Sequence, residues 1–317
     1  MSFNLIGTGM YVPEKIVTNR ELSLLVDTSD EWISQRVGVL ERHVCTTETA
    51  ADLGYKAAIN ALKNCNCKLE DLNLIIAATV SCETVSPSLA CMIQKKLGAT
   101  CTAYDINAAC SGFLFLLETA AGYYARKKVN KVLIVGAERM SRILDWDDRD
   151  TCCIFGDGAG AAILSTGENY LDSTFTVKGG DDIINIPQFS GKSPFYEGET
   201  QEPYIQMNGQ ETFKFAVNAI CDDITLLMER NNLKENDITY VIAHQANKRI
   251  IDYAARRLKF DDEKFYMNIE RYGNTSSASI PIALDELNRQ GKIKKGDLLI
   301  LTAFGGGLAN ASCLLKW

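Results

Sequence analysis

The sequence predicts an α/β protein that is built from two copies of one unit. Apolar runs typical of buried strands alternate with amphipathic runs typical of helices throughout the 317 residues, and this alternation indicates a layered α/β architecture. Three blocks also recur at a single shift of 166 residues. They are 72–79 with 238–245, 110–113 with 276–279, and 132–137 with 298–303. Because one shift relates all three pairs, we interpret the chain as a duplication with a pseudo-twofold axis between its halves.

The first half supplies its elements in the expected alternation. A short helix opens after Thr28 or Ser29, either of which is a suitable N-cap, and Gly98 suits the end of another helix. The other predicted elements are a strand at 2–9, an amphipathic helix over 49–64, a buried strand at 72–79, a helix over 88–97, a short strand before Cys110 with a helix after it to about Lys127, and a strand at 131–138.

Residues 155–164 form a stretch rich in glycine and alanine that leads into a strand. A phosphate-binding loop is one interpretation, but the stretch lacks a Lys-Ser/Thr pair and does not open a helix. Close packing of two strand backbones is the interpretation we favour.

The boundary between the halves is predicted near residues 166–172, which divides the chain into residues 1–168 and 169–317. Residues 179–205 combine Gly, Pro, Ser and acidic residues, and we expect a long surface loop there on the second half.

Composition argues against several classes of protein. With 46% hydrophobic and 23% charged residues, and no apolar run near the ~20 residues of a membrane span, the chain is typical of a globular enzyme without membrane segments. A net charge of −7 argues against wholesale nucleic-acid binding. The N-terminus starts directly as a strand and lacks the regions of a signal peptide, so we expect a cytoplasmic protein.

The cysteines are typical of a reducing compartment. Their odd number, 11, and their irregular spacing, with Cys152 next to Cys153, argue against a disulfide framework. Cys65 and Cys67 form the other close pair, and the chain has only two His, so we expect no zinc or other metal site.

Cys110 has the setting of a nucleophile. Small residues surround it, so that another molecule could approach the thiol, and the predicted helix begins beside it. The positive end of a helix macrodipole favours thiolate, which is the nucleophilic form. Against this, most free cysteines are small buried hydrophobes.

The duplication predicts which residues meet Cys110. His244 follows the strand that corresponds to 74–78, and Asn274 lies just before the counterpart of the Cys110 helix. If the pseudo-twofold axis relates the two helices, their N-termini converge, and the three side chains share one pocket. Taken singly, His244 could be a hydrogen-bonded core residue and Asn274 a helix cap.

Seven motifs then closely resemble the signatures of β-ketoacyl-[acyl carrier protein] synthase III, the condensing enzyme of the thiolase fold that starts bacterial fatty-acid synthesis. They are 28–33 (TSDEWI), 107–113 (NAACSGF), 148–151 (DRDT), 155–160 (FGDGAG), 244–247 (HQAN), 272–276 (YGNTS) and 304–307 (FGGG). The resemblance covers essentially the whole chain in the right order.

The resemblance implies a duplicated thiolase-like fold with five layers, α-β-α-β-α, and an acyltransferase reaction in two steps. Cys110 attacks an acyl-CoA and releases CoA. Malonyl-[acyl carrier protein] then loses CO₂, and its enolate attacks the acyl group. Catalysis is implied for Cys110, His244 and Asn274, with an oxyanion hole from the backbone N–H groups of Cys110 and Gly306. The enzyme is implied to be a homodimer that needs no cofactor besides its CoA thioester substrates.

Binding residues follow from the same resemblance. The CoA adenine is implied to stack between Trp32 and Arg149, while Thr28, Arg36 and Asn247 contact the rest of the CoA. Since carrier protein is acidic, basic residues on the second half are expected to dock it, although each could simply be part of a solvated helix face. These basic residues are Lys214, Arg249, Arg256 and Arg257.

Two positions depart from the family's usual pattern. Residues 308–310 read LAN where an aromatic or Thr-Trp-Gly-like run is common, and Ser86 stands where many members place a Phe that reaches the partner's substrate pocket. We expect the second departure to enlarge the primer pocket.

Other classes of protein remain to be weighed. A thiolase or hydroxymethylglutaryl-CoA synthase would need a second catalytic Cys or a Glu base, and 304–310 shows no such motif. An acyltransferase of specialised metabolism would keep Cys110 and His244 but transfer to oxygen or nitrogen. A non-enzymatic partner subunit should have lost the nucleophile, which is present here.

Overall fold

The computed structural model describes residues 2–187, 194–195, 197–198 and 201–317. Its strands are β1 (Ser2–Tyr11), β2 (Ile16–Thr18), β3 (Glu41–His43), β4 (Leu74–Ala78), β5 (Thr102–Ile106), β6 (Lys131–Arg139), β7 (Asp157–Gly167), β8 (Tyr170–Gly180), β9 (Ile184–Asn185), β10 (Gln206–Met207), β11 (Tyr240–Ala243), β12 (Leu298–Gly305) and β13 (Gly307–Lys316). Its helices are α1 (Asn19–Leu22), α2 (Asp30–Arg36), α3 (Ala50–Asn64), α4 (Leu89–Leu97), α5 (Gly112–Ala125), α6 (Arg149–Cys152), α7 (Gly209–Arg230), α8 (Lys248–Leu258), α9 (Ile269–Tyr272) and α10 (Ser279–Arg289).

The predicted helix caps at Ser29 and Gly98 are present in the structure. Ser29 caps α2 by accepting a hydrogen bond from the Trp32 N–H. Gly98 ends α4 in the left-handed conformation, with φ of 72°.

Two sheets of the same topology form the body of the molecule. The first has the order β1-β7-β6-β4-β5 and the second β8-β13-β12-β11. In each, one parallel pair (β4 with β6, β11 with β12) is followed by two antiparallel pairs. A parallel bridge between Val241 and Phe265 even occupies the place of the β4–β5 pair. The repeat read from the sequence is therefore a repeat of structure.

Alternate residues of the central strands pack against different helical layers. In β4, Leu74 and Ile76 belong to the core shared with α5 and α10, whereas Ile75 and Ala77 pack with α3 and α4. Ile300 of β12 packs with α7 and α8 in the same way. The layers are thus α3 and α4, the first sheet, α5 and α10, the second sheet, and α7 and α8. This arrangement matches the predicted five-layered fold.

The two central helices are entered by equivalent turns. A 3₁₀ turn at Ala109–Ser111 precedes α5, and one at Ser276–Ala278 precedes α10. Their first residues have nearly identical positive φ values of 47° and 48°. In each turn an asparagine two residues earlier caps the first N–H, with Asn107 Oδ1 accepting from Ala109 at 3.2 Å and Asn274 Oδ1 from Ser276 at 2.8 Å.

This equivalence corrects the repeat by one residue. At these turns the shift is 167 rather than 166, so the counterpart of Cys110 is Ser277 and that of Asn107 is Asn274. The second half has one more residue between its strand β11 and its turn.

The glycine-rich stretch serves close packing, although a helix rather than a second strand approaches most closely. A Cβ atom at Gly160 would lie 2.6 Å from Cβ of Pro281 in α10, and one at Gly156 would collide with the Tyr272 carbonyl. The stretch leads into β7 and opens no helix, which removes the geometry of a phosphate-binding loop.

The predicted loop at 179–205 begins later than expected, because β8 continues to Gly180 and a short β9–β10 pair follows. Residues 188–193, 196, 199 and 200 of that prediction lie outside the described residues. Within the described part of the chain, no helix is long and apolar enough to cross a membrane, and no three His, Cys, Asp or Glu residues are grouped as metal ligands.

Candidate active site

Cys110, His244 and Asn274 line one cavity of about 390 Å³. Cys110 comes from the turn before α5, His244 from the end of β11, and Asn274 from the turn before α10. The duplication explains the meeting, because the two turns contact each other across the pseudo-twofold axis. The structure thus brings together the three side chains that the sequence placed in one pocket.

The Cys110 thiol is held in a tight turn and is protonated at rest. Desolvation raises its pKa to about 12, although the neighbouring Ser276 hydroxyl opposes this, and the negative charge of Glu138 raises it further. We expected the helix macrodipole to favour the thiolate. The desolvation outweighs it, because Cys110 lies in a single 3₁₀ turn beneath the backbone of Gly305, where an added Cβ would be 2.8 Å from the Cys110 nitrogen.

Glu138 is a buried carboxylate behind this turn that sequence reasoning missed. It is 0% exposed and accepts hydrogen bonds from Thr79 Oγ1 (3.1 Å), the Val80 N–H (3.0 Å) and Ser277 Oγ (2.7 Å). Burial raises its pKa, while hydrogen bonds from Ser81, Ser277 and the Val80 N–H oppose the rise. The carboxylate therefore ties the turn of the second half to the end of β4 in the first. The sequence feature that could have pointed to Glu138 is a single acidic residue near the end of a mostly apolar strand.

His244 is buried and neutral. Desolvation lowers its pKa to about 3, so the imidazole carries no charge at physiological pH. Its Nδ1 lies 2.7 Å from Ser279 Oγ, and Phe304 packs edge-on against the ring at 5.3 Å. Among the described residues no partner engages Nε2, which leaves that nitrogen for the cavity.

Asn274 is held by its backbone and oriented by its side chain. Its N–H donates to the Ile154 carbonyl at 2.9 Å, and its own carbonyl accepts from the Gly156 N–H at 3.1 Å. Its Oδ1 accepts from the Ser276 N–H, which assigns the amide so that Nδ2 is the free end. The Cys110 thiol, the Nε2 atom of His244 and the Nδ2 amide of Asn274 therefore share one cavity.

Comparison with known proteins agrees with this geometry. The family described as 3-oxoacyl-[acyl-carrier-protein] synthase III matches residues 104–179, and its C-terminal part matches residues 228–317. A β-ketoacyl-[acyl-carrier-protein] synthase III of Clostridium acetobutylicum is 45% identical over 100% of this chain and 99% of the relative.

The chain belongs to this family.

Solved structures extend the likeness to the fold. The crystal structure of 3-oxoacyl-[acyl-carrier-protein] synthase III from Aquifex aeolicus superposes with a TM-score of 0.93 at 40% identity, covering 100% of both chains. The enzyme from Thermus thermophilus has a TM-score of 0.93 at 38% identity over 99% of each chain. The fold is thiolase-like, and the protein is a condensing acyltransferase of the synthase III family.

A second opening lies on the other side of the catalytic turn. It has a volume of about 980 Å³ and is lined by Ala109, Gly306 and Gly307, while Ile184 lines both this opening and the first cavity. Gly306, expected in the oxyanion hole, is partly exposed and lines the second opening, where an added Cβ would be 3.7 Å from that of Ala109. The closest approach to Cys110 is made by Gly305, which sequence reasoning did not single out.

Trp32 and Arg149 face each other, but the space between them is too narrow for another ring. The Arg149 guanidinium lies 5.3 Å from the Trp32 ring centre, and it donates to the Asp27 carbonyl at 3.1 Å. An adenine ring between them needs about 3.5–4 Å on each face. The pair must therefore separate before it can hold an adenine.

The remaining residues expected at CoA differ in how accessible they are. Arg36 is exposed at the end of α2, and its carbonyl accepts from Asn247 Nδ2 at 3.1 Å, which places both at the mouth of the cavity that Asn247 lines. The Thr28 hydroxyl is buried, has no hydrogen-bond partner among the described residues, and turns toward Cys153. A CoA contact from Thr28 would have to come from another of its atoms.

The four basic residues expected to dock carrier protein are exposed on α7 and α8. Lys214 forms an ion pair with Glu211 at 2.7 Å, which neutralises it. Arg249 lies 5.8 Å from the ring centre of Phe213, a residue that lines the cavity. Arg257 donates to Asn218 Oδ1 at 2.7 Å, and Arg256 bonds a carbonyl of its own helix. Arg249 is thus the member of this patch whose guanidinium packs over a side chain that lines the cavity.

The two unusual positions occupy different surroundings. Ser86 is exposed and does not line the catalytic cavity, whereas its neighbour Val85 lines the second opening. In the segment 308–310, Asn310 donates through Nδ2 to both carboxylate oxygens of buried Asp223, at 2.9 Å each. That asparagine therefore has a structural partner in α7.

Proposed function

We propose that this chain condenses an acyl-CoA primer with malonyl-[acyl carrier protein] to give β-ketoacyl-[acyl carrier protein], by way of an acyl group on Cys110. One observation supports it above the others: a single cavity holds the Cys110 thiol beside His244 Nε2 and Asn274 Nδ2, two nitrogens that no side chain among the described residues engages. In the proposal, residues 1–168 carry the nucleophile, and residues 169–317 carry His244 and Asn274.

Acylation uses the turn that holds Cys110. The sulfur attacks the thioester carbonyl, the carbon–sulfur bond to CoA breaks, and the thiol proton leaves with the CoA thiolate. Because the pKa of Cys110 is raised, its side chain is a neutral thiol before substrate binds. Backbone N–H groups of Cys110 and Gly306 are the proposed donors to the oxyanion of the intermediate.

Decarboxylation uses the other half. Loss of CO₂ from the malonyl group places negative charge on its thioester oxygen, and His244 Nε2–H with Asn274 Nδ2–H donates to that oxygen. A neutral imidazole suits this step, since an imidazolium would protonate the carbanion. The low pKa of His244 provides that neutral form. The carbanion then attacks the acyl carbonyl and displaces Cys110.

The other reactions on this fold find less support. Cys110 is the one cysteine among the described residues that line the cavity, whereas a thiolase needs a second. Transfer to oxygen or nitrogen would leave the pair of N–H donors without a carbanion to stabilise.

The proposal includes the protein's partners and setting. CoA enters past Trp32 and Arg149, carrier protein docks near Arg249, and the chain acts as a cytoplasmic homodimer without cofactor or metal. The second opening beside Ala109 and Val85 is where the partner copy would complete the primer pocket. Sedimentation at micromolar concentration should give a dimer, and a monomer would remove that part of the proposal.

The function is tested by intact-mass analysis after exposure to a panel of acyl-CoAs, followed by addition of malonyl-[acyl carrier protein]. We expect one acyl group per chain, lost from the enzyme as β-ketoacyl product appears. Cys110→Ala should remain unlabelled, whereas Cys91→Ala, which removes a partly exposed thiol elsewhere, should label normally. Label on another cysteine with product still formed would overturn the proposal.

A further inference from the structure

Ser279 occupies the position that can decide which nitrogen of His244 carries the proton. It is the first residue of α10, and its Oγ lies 2.7 Å from His244 Nδ1. Both residues are buried, with 2% exposure for Ser279 and 1% for His244. The Gln245 N–H also donates to the same Oγ, at 3.4 Å.

We propose that Ser279 is a positioning residue that holds His244 in the Nε2–H tautomer. The inference deepens the proposed function, because that tautomer is the one that donates to the malonyl thioester.

The count of protons and lone pairs favours this tautomer. A serine hydroxyl has one hydrogen to donate and two lone pairs. With one lone pair engaged by the Gln245 N–H, the hydroxyl hydrogen needs an acceptor, and His244 Nδ1 is the one recorded for it among the described residues. Nδ1 then carries no proton, so a neutral imidazole has its hydrogen on Nε2.

The opposite tautomer would leave a buried group unpaired. If Nδ1 carried the proton, it and the Gln245 N–H would both donate to Ser279 Oγ. The hydroxyl hydrogen would then lack an acceptor in a buried site, which is unfavourable. Nε2 would meanwhile become an acceptor facing the place where negative charge develops.

The duplication shows that the fold itself does not require this serine. By the same pseudo-twofold relation, Ser279 corresponds to Gly112 and His244 to Ala78. A Cβ atom at Gly112 would lie 2.7 Å from Cβ of Ala78, so the first half fills the equivalent contact by close backbone packing. The second half has a hydroxyl and an imidazole there instead.

Nuclear magnetic resonance of the free protein tests the tautomer directly. The chain has two His, so a His43→Gln variant leaves His244 as the single imidazole to observe. Long-range ¹H–¹⁵N spectra should show a protonated Nε2 and an unprotonated Nδ1. A proton on Nδ1 overturns the inference, and this measurement needs neither a mutation at Ser279 nor substrate.

Kinetics of Ser279→Ala tests the consequence. We expect acylation of Cys110 near the wild-type rate, decarboxylation of malonyl-[acyl carrier protein] slower by about 10- to 100-fold, and mixed tautomers of His244. Ser312→Ala, which also deletes a buried hydroxyl but one bonded to Asp223 and Thr302, should keep the tautomer and the balance of the two steps. Unchanged decarboxylation in Ser279→Ala overturns the inference. Failure of the wild type to decarboxylate would refute the proposed function instead, and the nuclear magnetic resonance spectrum would then still test the tautomer of His244.

Discussion

At the scale of single residues, the site is lined by chemically functional side chains that are neutral. Desolvation holds Cys110 as a thiol and His244 as a neutral imidazole, so that the cavity presents N–H and S–H groups rather than ions. Glu138, a buried acidic residue behind the catalytic turn, accepts hydrogen bonds from hydroxyl and N–H donors of both halves.

Glu138→Gln should make Cys110 more reactive. The carboxylate raises the pKa of the thiol, so its removal lowers that pKa and shifts the pH profile of alkylation to lower pH. At pH 8, alkylation by iodoacetamide should be roughly 3- to 10-fold faster, since one pKa unit is a tenfold change in thiolate fraction. Asp223→Asn, which neutralises a buried carboxylate bonded to Asn310, is the control and should leave the profile unchanged. A slower Glu138→Gln enzyme would contradict the sign.

His244→Ala and Asn274→Ala should separate the two chemical steps. Each variant should still acylate Cys110 but decarboxylate malonyl-[acyl carrier protein] on the order of 10²-fold more slowly, because one N–H donor is lost. In the wild type, the pKa of about 3 for His244 means that this step should show no acidic limb between pH 5 and 8. Single-turnover decarboxylation across that range measures both effects. A limb near pH 6.5 would mean that the imidazole titrates normally.

The sequence could predict which side chains meet but not how they are oriented or charged. The internal repeat indicates that Cys110, His244 and Asn274 lie in one pocket, even though its shift at the turns is 167 rather than 166, and their residue types are those of catalytic groups. Ser279 and Glu138 escaped notice because a serine at a helix start and an acid at a strand end have ordinary explanations. The pKa of Cys110 escaped prediction because desolvation depends on the packing of residues far along the chain, such as Gly305, against the catalytic turn.

At the scale of elements, β7 packs closely against α10 because a glycine of β7, Gly160, lies at their contact. Close approach of α10 to the first sheet brings the turn at Ser276–Ala278, and with it Asn274, up to Cys110. The absence of a side chain at Gly160 permits this contact, since an added Cβ would meet Pro281 and the Ile282 nitrogen at 2.6 and 2.8 Å. Sequence alone indicated close packing here but assigned it to a second strand, whereas the residues that approach Gly160 most closely belong to α10.

Gly160→Ala should therefore destabilise the fold by about 1–3 kcal/mol, the usual cost of overpacking a core. Gly179→Ala is the matched control in another strand, because a Cβ there would meet nothing within 4 Å, and its effect should stay within about 0.5 kcal/mol. Denaturant unfolding gives both values. Equal stability of the two variants would show that α10 moves away without cost.

At the scale of the whole molecule, the chain is acidic, with a net charge of −7, yet α7 and α8 present exposed basic side chains, Lys214 on α7 and three arginines on α8. An acidic carrier protein would be guided to that face in spite of the overall charge. Arg249 is the member that also touches Phe213 at the mouth.

Arg249→Glu should raise the KM for malonyl-[acyl carrier protein] and spare the KM for acyl-CoA, and rising salt should weaken carrier-protein docking in the wild type. Arg126→Glu is the control, because Arg126 follows the far end of α5, about 20 Å along the helix from the catalytic turn. An equal change for both substrates in Arg249→Glu would place this residue in the CoA path.

The loop at Ser86 extends away from the molecule. Val85 is 80% exposed and Ser86 is exposed as well, so both side chains are accessible to another surface. A second copy of the chain is the partner that the family suggests, and the opening beside Ala109 is the pocket that such a loop would reach.

Ser86 should then set the size of the primer. With Ser instead of Phe, the pocket wall loses most of an aromatic side chain, and a longer or branched acyl chain can fill the space. Each added buried methylene is worth about 0.8 kcal/mol, nearly fourfold in affinity. We expect kcat/KM for isobutyryl-CoA to exceed that for acetyl-CoA in the wild type, and Ser86→Phe to reverse the ratio. The control is Thr84→Phe, because Thr84 is also exposed. Ser88 is unsuitable as a control position because it caps α4. A wild-type preference for acetyl-CoA that Ser86→Phe leaves unchanged would show that Val85 or another neighbour closes the pocket.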